Sequence, residues 1–191
     1  MNKTALALIL AGIFGCTVAL AAPADYKIDA DHTYVTFAID HHGASVNRGR
    51  FDDVGGSVRF DPDTGAGAVD LTVQVASVYS GSRGFDEHLL SADLFNAAQH
   101  PTMRFVSDAF VFDGGRLVEV PGTLTLLGQT HPLTLKASQF RCYDNQRAAT
   151  QACGGDLEAV LDRTQWGMDY LVDAGMPREV RITATMEAFR Q

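Results

Sequence analysis

The sequence predicts an all-β fold, an eight-stranded antiparallel up-and-down β-barrel with one or two short helical turns between strands 3 and 4. Three observations predict it. Runs with an apolar residue at every second position recur along nearly the whole chain, as expected of strands buried on one face. The clearest of them, Leu117 to Ser138, folds back on itself through Gly128-Gln129-Thr130. Only the stretch from Ser80 to Pro101 breaks the alternation. Eight half-buried strands can pair the last with the first and leave no open edge, which favours a barrel over a sandwich.

The chain of 191 residues opens on Met1-Asn2-Lys3, an apolar run from Thr4 to Leu20, and the small-x-small sequence Ala19-Leu20-Ala21. This pattern predicts a secretory signal peptide over 1–21, cleaved after about Ala21, and export of one barrel domain over 22–191. Cys16, preceded by Ile13-Phe14-Gly15, makes a lipoprotein the lesser alternative.

Thr33 to Asp40 puts Val35, Phe37 and Ile39 on one face, and the Gly49 to Asp61 segment ends with Gly56, Val58 and Phe60 on one face. Asp61-Pro62-Asp63-Thr64-Gly65 reads as a turn, because proline presets φ and glycine accepts positive φ. From Gly67 to Val78, Val69, Leu71, Val73 and Val75 oppose Asp70, Thr72 and Gln74. The helical segment follows, with Ser91 as the expected N-cap, Asp93 in the first turn and Pro101 as the stop. Its apolar side is Leu89, Leu90, Leu94 and Phe95.

In the next strand Met103 and Phe105 share one parity and Phe110 and Phe112 the other, which implies a bulge between them. The central hairpin turns Val118, Val120, Leu124 and Leu126 to one side, then Leu133, Leu135 and Ala137. Pro121 inside it predicts a bulge or an edge, since proline has no N–H for a ladder. The last two strands bury Leu157, Ala159 and Leu161, then Val180, Ile182, Ala184, Met186 and Ala188. Cys142 and Cys153, an even pair in an exported chain, predict a disulfide worth about 3 kcal/mol by chain entropy.

A formal net charge of −8, with no cluster of lysine or arginine, argues against nucleic-acid partners and against attraction to anionic membrane surfaces. No nucleophile elbow, zincin helix, Walker loop or dinucleotide fingerprint is present. His41 and His42 would point to opposite faces of a regular strand, and His32, His88, His100 and His131 are isolated beside turns, so no metal set emerges from spacing. Asp86-Glu87-His88 is the densest polar cluster and reads either as an acid/base pair or as helix capping and loop anchoring. Arg163, three residues before Trp166, reads as a stacking or carboxylate-pairing group at the barrel mouth, or as a clamp closing the barrel end.

Taken together these residues resemble the YceI-like family of periplasmic lipocalin-like proteins. Matching pieces include Asp31-His32-Thr33, His41, Gly49-Arg50-Phe51, Asp86-Glu87-His88-Leu89 with Ser91-Ala92-Asp93-Leu94-Phe95, and His100-Pro101. Gly122-Thr123-Leu124-Thr125-Leu126, Arg163-Thr164-Gln165-Trp166-Gly167-Met168 and a terminal Val180, Ile182 and Glu187 complete them. Where the family usually has His-Ser this chain has His32-Thr33, which keeps the hydroxyl, and the segment between the two cysteines is like one branch of the family only.

The resemblance implies a lipocalin-like barrel around a long apolar cavity that holds a polyprenyl chain or a prenylated quinone. It implies a periplasmic carrier or store of isoprenoid lipid, with no required cofactor and no catalytic residue to carry over. The inward set expected to line the chain path is Phe37, Ile39, Phe60, Val73, Phe105, Leu124, Leu126, Leu135, Ile182 and Met186. Leu89, Leu94, Phe95 and Trp166 would cover it, and His32, Asp86, His88 and Arg163 are the polar candidates at its mouth. The isoprenoid lipid is the expected partner, with transient membrane contact and a homodimer as further expectations. The alternative is a lipocalin-type barrel enzyme, an isomerase or hydrolase of an apolar substrate using His88 or His32. Parity assigns which residues face inward and leaves open whether a cavity remains, since eight strands also close around a solid core.

Overall fold

Alternating burial along each segment produces strands throughout, and their pairing closes on itself. The computed structural model describes residues 23–191. The signal peptide expected over 1–21 and the alternative lipidation site at Cys16 lie outside the described residues. The strands are β1 (Ala24–Ile28), β2 (Tyr34–His41), β3 (Ser45–Phe51), β4 (Val54–Phe60), β5 (Gly67–Gln74) and β6 (Val78–Tyr79). After one helix, α1 (Arg83–Leu90), come β7 (Thr102–Ser107), β8 (Val111–Asp113), β9 (Arg116–Leu126), β10 (Gln129–Asn145), β11 (Thr150–Asp162) and β12 (Glu179–Arg190).

Neighbouring strands run β1-β4-β5-β7-β9-β10-β11-β12, and β12 pairs back on β1, so the ring has no free edge. The first half of β12 pairs instead with β2, β2 with β3, and β3 with β6. The pairs β1/β2, β3/β4, β5/β6 and β7/β8 are therefore bent staves, and the twelve segments form a closed eight-stranded antiparallel barrel. Each bend falls where alternation stops: at 29–33, at Asp52-Asp53, at the 3-10 turn Val75–Ser77, and at 108–110.

The bulge expected between Phe105 and Phe110 is the gap between β7 and β8. Pro121 lies on β9 just beyond the last β7 pair, Val106 with Thr123. There the Ser107 hydroxyl, in place of a strand N–H, donates to the Pro121 carbonyl at 2.7 Å. A register shift between Val111 and Phe112 means that Leu117, not Val118, turns inward and is buried.

The expected helix start is corrected. Ser91 does not start the helix; it ends it, with its N–H and its hydroxyl both donating to the His88 carbonyl, at 3.1 and 2.7 Å. The helix begins eight residues earlier, at Arg83, and 91–100 form a chain of turns instead. The expected Cys142–Cys153 disulfide is present, and β10 and β11 continue past it with the two cysteines as direct cross-strand partners.

Candidate functional site

The barrel interior divides into two parts. At the end holding β8 and the last residues of β12, Phe60 lies within 5.5–6.3 Å, ring to ring, of Phe140, Phe110, Phe112 and Tyr26, and this aromatic cluster plugs the barrel. Only a void of about 50 Å³ remains there. Leu71, Phe105, Leu135 and Ala184 line both that void and a much larger cavity, so they form the constriction between them.

The larger cavity, about 400 Å³, occupies the helical end of the barrel. That is within the range of pockets that bury small ligands. Its wall is aliphatic and aromatic because every strand turns alternate residues inward: Phe37 and Ile39 from β2, Val73 from β5, Leu124 and Leu126 from β9, Ile182 from β12. Gly49, paired across from Phe37, makes way for its ring; a Cβ there would come within 2.6 Å of it. Leu89 on α1 and Leu94 and Phe95 in the turns after it cap this end, and the Phe95 ring stands edge-on to Phe51 at 5.3 Å.

Four residues expected in the lining or its cover, or at its mouth, sit elsewhere. Phe60 and Met186 border the small void beyond the constriction, because their strands pass through the plugged end. Trp166 is 1 % exposed and lies behind the wall, where its indole N–H donates to the Leu124 carbonyl at 3.0 Å and its ring meets His131 edge-on. His32 is on the outer wall, its Nδ1 2.8 Å from Asp29, and that carboxylate raises the ring's pKa above the ordinary histidine value.

The remaining mouth candidates divide by role. Asp86 anchors the loop before α1: its carboxylate accepts from the Ser80 N–H at 2.7 Å and the Ser80 hydroxyl at 2.6 Å. It is not paired with His88, whose ring lines the cavity and stands edge-on to Tyr170 at 5.1 Å. Arg163 borders the cavity but is 3 % exposed and neither stacks on Trp166 nor meets a carboxylate in an ion pair. Its Nε, Nη1 and Nη2 donate to the carbonyls of Pro177, Met168 and Tyr170, which pins the 167–178 loop over the barrel end. Burial lowers the guanidinium's pKa, opposed by the charges of Asp169 and Asp162.

The mouth also holds residues that strand periodicity did not select: His41, His42, Asn47, Tyr170, Leu171 and Met176. His42 leaves β2 with φ 57, so its ring falls beside that of His41, 5.0 Å away, and not on the opposite face. The doublet at the end of a strand was the available signal. Nothing in the sequence marks Tyr170, Leu171 or Met176, which come from an irregular loop.

A closed antiparallel barrel with an apolar cavity open between a short helix and a loop defines the lipocalin-like class of proteins. Residues 26–188 match the model of the YceI-like domain, and the chain belongs to that family. It is 34 % identical over 195 residues to a UPF0312 protein of Pseudomonas aeruginosa, spanning the whole of both chains. It is 39 % identical over 140 residues, 72 % of each chain, to the protein YceI of Escherichia coli O157:H7. A polyisoprenoid binding domain from Saccharophagus degradans shares the fold with a TM-score of 0.61 at 15 % identity, over 88 % of this chain and 99 % of that one.

Proposed function

We propose that this protein is an exported carrier or store of an isoprenoid lipid, a polyprenyl chain or a prenylated quinone, held in the cavity at the helical end of the barrel. The observation that carries the proposal is the cavity itself: about 400 Å³ of space walled by apolar side chains inside a closed barrel. A structural neighbour that is a polyisoprenoid binding domain supports the same ligand class. The disulfide agrees with export, since such bonds persist in oxidising compartments. The periplasm is the compartment we assign on that basis.

Burying hydrocarbon gains about 0.8 kcal/mol per methylene relative to water. The relevant competitor is the bilayer, where the chain is already out of water. A wall of Phe37, Ile39, Val73, Leu124 and Ile182 offers a similar environment, so exchange is close to balanced, as a carrier or store requires. Loading involves transient membrane contact, and no cofactor takes part.

Native mass spectrometry of the intact protein, followed by organic extraction, tests this reading. Bound isoprenoid, or uptake of added ubiquinone-4 by protein isolated empty, supports it. A barrel that is empty and refuses the quinone counts against it.

A further inference from the structure

Several polar residues that the cavity leaves unused gather on the outer wall, toward the plugged end of β12. Asp29 and His32 come from the bend between β1 and β2, and Glu187 from β12. One carboxylate oxygen of each acid and one ring nitrogen of His32 all lie within 4.8 Å of one another. We propose that Asp29, His32 and Glu187 form a binding site for a divalent transition-metal ion of the zinc class, with water completing its coordination.

The backbone that carries these donors is locked. The Asp29 N–H donates to the Glu187 carbonyl at 2.9 Å, and the His32 N–H to the Asp29 carbonyl at 3.2 Å. The Thr33 hydroxyl donates to the same Glu187 carbonyl and accepts from the Glu187 N–H, each at 3.2 Å. Donors on a fixed backbone lose little freedom on binding an ion.

The surroundings of Glu187 fit the same role. Gly154 is its cross-strand partner, and a Cβ there would come within 2.7 Å of Glu187 Cγ. The glycine thus lets the side chain lie across β11. On the far side the Tyr143 hydroxyl donates to Glu187 Oε2 at 2.8 Å, the kind of outer hydrogen bond that orients a ligating carboxylate. Among the described residues no lysine or arginine pairs with Asp29 or Glu187; His32 pairs with Asp29, and Glu187 lies within 4.8 Å of both. One imidazole with two carboxylates suits zinc and its first-row neighbours, whereas magnesium and calcium take oxygen donors.

The rival explanation is an Asp–His clamp that merely shapes the bend, and zinc binding separates the two. The full mature chain, stripped with EDTA, is titrated with zinc chloride by calorimetry in a non-chelating buffer. One ion per chain is expected, with affinity at least about tenfold weaker for His32→Ala and for Glu187→Gln. It should be unchanged for a His41→Ala/His42→Ala double variant and insensitive to excess magnesium. His32 is 64 % exposed at its side chain, so its truncation leaves the core intact. As a second measurement, zinc should raise the thermal midpoint of the wild type and not that of His32→Ala. Absence of saturable one-to-one binding, binding unaltered in both single variants, or binding lost in the double variant would overturn the proposal.

Discussion

Thr33 and Glu187 lie 154 positions apart, and the one hydroxyl of Thr33 bonds both the N–H and the carbonyl of Glu187. The Thr33 hydroxyl donates to the Glu187 carbonyl and accepts from its N–H, each at 3.2 Å. Thr33 is 3 % exposed, so its hydroxyl is shielded from water. This one hydroxyl substitutes for a ladder rung where the stave bends, between the last β1 pair, Ile28 with Ala188, and the first β2 pair, Tyr34 with Thr185.

Thr33→Val keeps the shape and removes both bonds, leaving the Glu187 N–H unpaired while the Glu187 carbonyl keeps the Asp29 N–H at 2.9 Å. It should cost about 1–3 kcal/mol, read as a shift in the urea midpoint. Thr33→Ser, which retains the hydroxyl, should cost much less. Equal losses in both variants would mean that the methyl group, not the hydroxyl, holds the bend.

Arg163 is a buried cation whose three nitrogens serve the carbonyls of Pro177, Met168 and Tyr170. Lysine has one point of attachment and cannot reach all three. Arg163→Lys should destabilise the protein by at least about 2 kcal/mol and raise hydrogen exchange across 167–178 first. Unchanged exchange in that loop would contradict the clamp.

Asp61 caps the turn between β4 and β5. Its carboxylate accepts from the Thr64 hydroxyl at 2.7 Å and from the Asp63 N–H at 2.9 Å, which holds its pKa below the ordinary aspartate value. A depressed folded-state pKa gives stability that is present above the unfolded value, about 3.9, and is lost as pH falls through the folded one. The urea midpoint of the wild type should therefore drop below about pH 4 more steeply than that of Asp61→Asn. Parallel profiles would show that the carboxylate has no part in acid sensitivity.

The barrel was legible because burial on one face writes itself as alternation, and eight segments from Thr33 to Phe189 carry it. The missed pieces are those whose periodicity is short or broken. β1 offers only five residues, and β3 reads Ser45-Val46-Asn47-Arg48 with no apolar parity. Ser91 misled because a serine beside a helix bonds N–H groups at one end and carbonyls at the other, and composition alone does not distinguish the two. In the cavity, parity placed Phe37, Ile39, Val73, Leu124 and Ile182 on the wall around it. It also put Phe60 and Met186 there, because parity reports the side of a strand and is blind to height along the barrel. The aromatic plug depends on Phe110, Phe112 and Phe140 meeting Phe60, a tertiary coincidence that no local pattern encodes.

Filling the cavity should separate binding from folding. Ile182→Trp adds bulk where the wall is already open to the void, so the protein should fold with little change in stability while its capacity for ubiquinone-4 falls several-fold. Undiminished uptake, measured by native mass spectrometry, would place the ligand elsewhere.

The most direct measurement is a crystal structure of the protein taken from its producing cells without delipidation. Continuous elongated density should run from the mouth at His88 and Tyr170 down to the constriction at Leu71, Phe105, Leu135 and Ala184. An interior in which Phe37, Leu124 and Ile182 close against one another, leaving no tunnel, would contradict the account.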